Sequence, residues 1–106
     1  MAFIKCMGSD VKVKHGTFSS ANTETSINVG FEPKYLYIVN NVTHVVNVYD
    51  ADYSTTQFAY AGSSSGATVR NLGGTGTYEL KSIDSTGFTI NAMPQTGNDV
   101  YYCAVG

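Results

Sequence analysis

Charged residues are scarce in this chain, and so are proline, cysteine and tryptophan. Only 13% of the residues are charged, the formal net charge is −2, and there is no tryptophan. No apolar run approaches the roughly 18 residues that a membrane-spanning helix needs. A charge balance this close to neutral also gives no broad basic surface for nucleic acid or for an anionic membrane. We therefore expect neither nucleic acid nor a membrane as a partner.

The two cysteines, Cys6 and Cys103, form no CxxC or Cys/His pattern of a metal site. The first seven residues lack the basic start and the long apolar stretch of a signal peptide. We therefore expect synthesis in a cytoplasm, where thiols stay reduced. Both cysteines lie in apolar runs that could form neighbouring strands. Two buried free thiols are favoured, and a disulfide stays open as the alternative.

Good helix formers are also scarce, whereas Gly, Ser, Thr, Asn, Val and Tyr are abundant. Apolar and polar residues alternate along much of the chain, and no apolar stripe with helical spacing exceeds about one turn. This alternation, together with a run at residues 35–39 that is apolar throughout, predicts ten strands, at residues 2–7, 11–14, 25–31, 35–39, 42–49, 56–60, 67–72, 78–83, 88–92 and 100–105. Turn residues recur roughly every 8–12 residues. The sequence thus predicts an all-β fold, an antiparallel β-sandwich or small barrel of about 8–10 short strands, in a single domain over residues 1–106.

A corner is predicted at Gly30, Phe31 and Pro33, between an alternating strand and a continuous apolar run. Proline donates no ladder hydrogen bond and holds the residue before it extended, and glycine allows the backbone to bend. The run that follows, residues 35–39, is apolar at every position, which predicts a strand covered on both faces. Asn40-Asn41 then predicts a tight hairpin turn with positive φ.

No set of residues predicts catalysis or a bound cofactor. Residues 62–66 match the letters G-x-S-x-G, but a strand pattern follows where a hydrolase has a helix. The run that begins at Asp50 and Asp52 does not match a calcium-binding loop, because the residues at loop positions 6 and 12 are not the required glycine and glutamate. His15 and His44 have no partners that the sequence places beside them. We therefore expect a protein that is not an enzyme and that holds no metal.

The aromatic residues offer the best candidates for an exposed contact. Tyrosine has an apolar body and a polar tip, which suits a core, a subunit interface and a sugar-stacking platform alike. Most of the tyrosines are expected in the core or in cross-strand pairs. The candidate contact residues lie around the Ser/Gly loop and are Asp50, Asp52, Tyr53, Phe58 and Tyr60.

Four segments in a fixed order carry a resemblance to a known family. They are residues 15–18 (HGTF), 29–35 (VGFEPKY), 87–90 (GFTI) and 100–106 (VYYCAVG). This order resembles a small β-sandwich module of tailed-bacteriophage virion proteins, with its G-T-F strand, G-F-x-P-K corner, G-F-T-I strand and closing Y-Y-x-A-x-G. The resemblance covers about residues 15–106. Residues 1–14 fall outside it and are expected to form an attachment or edge segment.

The resemblance implies a virion structural protein, made in the cytoplasm of a bacterial host and bound on the particle surface. A chain with room for one module is similar to a capsid decoration protein. The implied partners are copies of itself, with a trimer favoured, and the major capsid protein or tail proteins. The alternative is a tail-fibre or baseplate receptor-binding module that contacts a host surface glycan or protein. A carbohydrate-binding module unrelated to phage is a further alternative.

Overall fold

The computed structural model describes residues 11–52, 57–62, 66–72 and 76–106, and for residues 57–62 and 66–71 it describes the backbone alone. Strands make up all the regular structure of this part, which confirms the predicted all-β fold. In chain order they are β1 (Val13–Ser19), β2 (Thr25–Asn28), β3 (Tyr35–Asn40), β4 (Val46–Asp50), β5 (Gln57–Gly62), β6 (Gly66–Asn71), β7 (Leu80–Asp84), β8 (Gly87–Ile90) and β9 (Asp99–Val105). The described part has no helix that is long and apolar enough to cross a membrane.

The strands form two antiparallel sheets. The large sheet has the order β1-β9-β3-β4-β5-β6, and the small sheet has the order β2-β8-β7. The last strand, β9, lies between β1 and β3, with Val13 and Tyr35 both opposite Val105. The first and the last of the described strands, β1 and β9, are therefore neighbours at one side of the large sheet.

The core lies between the two sheets. Alternate residues of the large sheet turn inward, among them Leu36 and Ile38, and meet Phe88 of the small sheet, all at most 1% exposed. The Phe88 ring packs on the Tyr102 ring with a centroid distance of 5.6 Å and an edge-on tilt of 64°. Phe18 completes the cluster, with its ring 6.3 Å from Phe88. Aromatic pairs at such distances add to the stabilisation from burial.

Several strand boundaries differ from the prediction. The predicted strand over residues 42–49 begins late, at Val46, because residues 41–43 form a turn. The predicted start at Tyr78 is wrong, since Tyr78 has a φ of 65° and β7 begins at Leu80. β1 runs on to Ser19, well past the predicted end at residue 14. The predicted strand at residues 2–7 lies outside the described residues.

The turn between β3 and β4 uses Asn40 in a way that the sequence did not predict. The Asn40 side-chain oxygen accepts hydrogen bonds from the backbone N–H groups of Val42, at 3.0 Å, and Thr43, at 3.1 Å. The residue with positive φ is His44, at 61°, and neither asparagine. The prediction of a two-residue Asn-Asn turn is therefore wrong, because the Asn40 side chain supports a longer turn.

The predicted corner residues lie between β2 and β3, where the chain passes from the small sheet to the large one. Gly30 has a φ of 90°, and its N–H donates to the Asn28 side-chain oxygen at 2.8 Å. Pro33 is fully buried. Phe31 packs against the core and lies over Gly106 at the end of β9. The corner thus holds the two sheets and the last residue of the chain together.

Candidate binding surface

The large sheet has one face that the small sheet does not cover, here called the outer face. Its described side chains are Val13, His15, Thr17 and Ser19 of β1, Asp99, Tyr101, Cys103 and Val105 of β9, Tyr35, Tyr37 and Val39 of β3, and Val46, Val48 and Asp50 of β4. Each of these residues is exposed or half-buried, whereas their inward neighbours on β3, β4 and β9 are buried. The outer face therefore results from the two-residue period of the strands.

The strand register arranges the outer face in rows. Cys103 lies between His15 and Tyr37, and Tyr37 lies opposite Val48. In the next row Tyr101 lies between Thr17 and Val39. Side chains directly opposite on neighbouring strands are in contact range. The rows therefore form a continuous apolar surface with tyrosine rings at its middle.

Four large apolar side chains of the outer face are strongly exposed. Val13 is 50% exposed, Tyr35 40%, Tyr37 42% and Tyr101 43%. The prediction that residues 35–39 are covered on both faces is therefore wrong for a single chain, as far as the structure describes it. The small sheet covers only the inward side of β3.

The outer face carries few charged groups. Its described carboxylates are Asp50 on β4 and Asp99 on β9, and its described basic group is His15 on β1. A surface that is apolar, aromatic and poor in lysine and glutamate has the composition of the buried centre of a protein interface.

The predicted contact residues do not all lie on this face. Asp50 is half-buried on it, and Asp52 is exposed in the following turn, where its N–H donates to the Asp50 Oδ1 at 2.9 Å. Tyr53 lies outside the described residues. Phe58 and Tyr60, described by their backbone, pair with Tyr49 and Asn47, whose own side chains are buried. Of the five predicted contact residues, the structure therefore describes the side chains of Asp50 and Asp52.

The sequence analysis missed Tyr35, Tyr37 and Tyr101 as exposed contacts. A signal for the first two was present, because a strand that is apolar at every position needs cover on both faces. The small sheet covers one face of β3, so the other side remains available to a partner. Nothing in the sequence pattern placed Tyr101 beside Tyr37, because their proximity depends on the position of β9 in the sheet.

On the buried side of β4, the pKa of the Tyr49 hydroxyl is shifted by its surroundings. Burial raises the pKa of the Tyr49 hydroxyl, and the nearby carboxylates of Glu32 and Asp50 raise it further. The hydroxyl therefore stays protonated and uncharged at neutral pH. The inner side of β4 remains neutral as a result, which suits its place in the core.

The described residues provide no evident centre for chemistry. No group of three His, Cys, Asp or Glu side chains among them could hold a metal ion. One gap between the sheets, lined by Asn40, Asn47, Tyr78 and their apolar neighbours, has no room for a water molecule. Among the described residues, the candidate binding surface is therefore the outer face.

Comparison of the chain with protein-family models, with curated proteins and with solved structures gave no match. The phage resemblance therefore rests on its sequence motifs. The described segments that carry these motifs fall in β1, at the corner before β3, in β8 and in β9.

Proposed function

We propose that this protein is a non-enzymatic structural protein of a bacteriophage virion, a decoration protein that binds to the surface of the capsid. It is made in the cytoplasm of the bacterial host and joins the particle as a homo-oligomer. Its partners are copies of itself and the major capsid protein. Its task is binding alone, with no cofactor and no chemical step.

The observation that carries this proposal is the exposed, apolar outer face. A single chain leaves Tyr35, Tyr37 and Tyr101 about 40% exposed, on the neighbouring strands β3 and β9. Large apolar patches of this kind mark surfaces that bind other proteins. Tyrosine is also enriched at such interfaces, because its ring gives contact area with few rotatable bonds.

A decoration protein stabilises a capsid by mass action. It binds the assembled shell and not the separated subunits, so its binding free energy is added to the stability of the shell. No catalytic group is needed for this effect. An all-β domain with an exposed apolar face is sufficient for it.

The proposal is tested by deleting the gene from the phage that encodes it and purifying the particles. We expect these particles to lose their DNA at a lower temperature or a lower salt stress than complete particles. Addition of the purified protein restores the resistance. Particles that are equally resistant with and without the protein contradict the proposal.

The same particles test the alternative of a receptor-binding module in the tail. If the particles that lack this protein keep their heat resistance but no longer attach to host cells, the protein is a tail module. The search for a glycan or protein ligand then begins at Asp50, Asp52, Tyr53, Phe58 and Tyr60.

A further inference from the structure

We infer that His15 and Cys103 form a binding site for a transition-metal ion such as Zn²⁺ on the outer face. One imidazole nitrogen and the thiolate sulfur hold the ion, and water fills its remaining positions. This inference goes beyond the proposed function and does not rest on it, because the site belongs to the single chain.

The first argument is the strand register. His15 on β1 lies directly opposite Cys103 on β9. Where this register ends, the Ser20 N–H donates to the Asn98 carbonyl at 2.9 Å, which marks a hydrogen-bonded pair. Hydrogen-bonded and non-hydrogen-bonded pairs alternate along an antiparallel ladder. His15 and Cys103 lie an odd number of positions from that pair, so they form a non-hydrogen-bonded pair, the closer kind, with Cα atoms about 4.5 Å apart.

The second argument is the reach of the two side chains, which stand on the same side of the sheet. The Cβ atoms of a directly opposite pair lie about 4.5–5.5 Å apart. Zinc binds sulfur at about 2.3 Å and nitrogen at about 2.0–2.1 Å, so around one tetrahedral ion the two donor atoms are roughly 3.5 Å apart. Rotation about the side-chain bonds of His15 and Cys103 spans this difference. The pair can therefore hold one ion without movement of the backbone.

The third argument is access from solvent. His15 is exposed, and Cys103 is a free, half-buried thiol. The neighbouring pair along the two strands is Val13 and Val105, and Tyr37 lies on the other side of Cys103. Apolar neighbours do not compete for the ion, and they limit the access of water to the metal–ligand bonds. An ion can thus enter from solvent and be held against an apolar surface.

The donor atoms determine the class of ion. Thiolate and imidazole suit zinc and related transition metals, whereas magnesium and calcium take oxygen ligands. The described residues supply no third His, Cys, Asp or Glu ligand. The site is therefore an open one, and its two remaining positions face away from the sheet.

The sequence gives no sign of this site because its two ligands come from opposite ends of the chain. Metal sites are recognised in a sequence by ligands at short, regular spacings. Only the pairing of β1 with β9 brings Cys103 to His15. The expectation that the chain holds no metal therefore considered local spacing alone.

The test is titration of the purified, reduced full chain with Co²⁺, which substitutes for zinc and gives an absorption band when a thiolate binds it. We expect this band for the wild type at one ion per chain, and its loss when Zn²⁺ displaces the cobalt. Cys103→Ser removes the band. His15→Ala weakens Co²⁺ binding at least about 10-fold, the loss that even a partner in the outer shell of a metal site causes.

The chain offers a matched control for each variant, because it has two histidines and two cysteines. His44→Ala changes an exposed histidine in the segment between β3 and β4. Cys6→Ser removes the other thiol. Both controls are expected to bind Co²⁺ as the wild type does. Circular dichroism verifies that each variant keeps its strands.

Four results would overturn the inference. They are a wild-type chain without the band, a band that Cys6→Ser removes, a band that His15→Ala leaves as strong as His44→Ala does, and half an ion per chain, which indicates an ion shared between two copies. Because only purified protein is used, each of these results would leave the virion proposal standing. Absence of the protein from particles would leave a measured metal site standing in turn.

Discussion

At the scale of single residues, Asn47 is the polar link between the two sheets. It is 1% exposed on β4, and its Nδ2 donates to the Tyr78 carbonyl at 2.9 Å. Its Oδ1 accepts from the Leu80 N–H at 3.2 Å. Both partners belong to the segment that leads into β7, so one amide side chain satisfies two backbone groups that the small sheet leaves unpaired there.

We expect Asn47→Ala to lower the free energy of unfolding by about 2–4 kcal/mol, because it leaves a buried N–H and a buried C=O without partners. Urea unfolding at one fixed protein concentration measures this loss. Asn22→Ala is the control, since Asn22 is exposed, and it is expected to change stability by less than about 0.5 kcal/mol. Equal stabilities of the two variants would contradict the role assigned to Asn47.

Gly87 is required for a different reason, the close approach of two backbones. A Cβ atom at Gly87 would overlap the carbonyl oxygen of Ile27 on the neighbouring strand β2. We expect Gly87→Ala to cost at least about 2 kcal/mol, because β2 must move away from β8. Thermal unfolding followed by circular dichroism measures this effect.

Gly30→Ala gives the matched comparison for Gly87→Ala. Gly30 has a φ of 90°, but a Cβ there would meet no atom within 4 Å. Only the backbone conformation is strained in this variant, at a cost of about 1 kcal/mol. A larger loss for Gly30→Ala than for Gly87→Ala would contradict this account of the β2–β8 contact.

At the scale of elements, the β7–β8 hairpin is stabilised by a side chain at its turn. The Asp84 Oδ1 accepts hydrogen bonds from the Thr86 N–H at 2.9 Å and from the Thr86 hydroxyl at 3.2 Å. The backbone N–H of Thr86 lowers the pKa of Asp84 most, and the Thr86 hydroxyl and the Gly87 N–H lower it further. The carboxylate thus acts in its charged form.

A lowered pKa in the folded state means that the unfolded chain binds the proton more readily. The contribution of Asp84 to stability is therefore present above the unfolded-state pKa and is lost as the pH falls through the folded-state pKa. We expect Asp84→Ala to destabilise the protein at neutral pH and to differ less from the wild type in acid. Unfolding curves recorded across the acidic range measure this difference.

Asp84→Asn separates the charge from the hydrogen bond. Its amide oxygen still accepts from Thr86, but the residue no longer titrates in acid. We therefore expect an intermediate stability at neutral pH and no pH-dependent contribution from this position. If Asp84→Ala and the wild type differ by the same amount at every pH, the ionised carboxylate is not what stabilises the turn.

The strands that the sequence predicted best are β3 and β9, each within one residue at every end. Both strands are continuous apolar runs, with a polar residue only at one end of each. β1 was predicted too short because Gly16 interrupts the apolar pattern. The structure explains the glycine, since a Cβ there would lie 3.0 Å from the Tyr102 hydroxyl. A close contact of this kind depends on the pairing of distant strands, which local sequence does not encode.

At the scale of the whole molecule, the order of strands determines the candidate site. β9 lies between β1 and β3, and this position alone places Tyr101 and Cys103 beside the tyrosines of β3. The sequence analysis named Tyr53, Phe58 and Tyr60 as candidates for an exposed contact, and their side chains lie outside the described part of the structure. It could not identify the face left uncovered, because that depends on which strands the small sheet covers.

The central claim is that the protein belongs to the surface of a phage particle. The most direct test is electron microscopy of purified particles labelled with a gold-conjugated antibody against this chain. The account predicts label spread over the whole head. Label confined to the tail would contradict decoration and favour the receptor-binding module, and particles without any label would contradict a virion protein altogether.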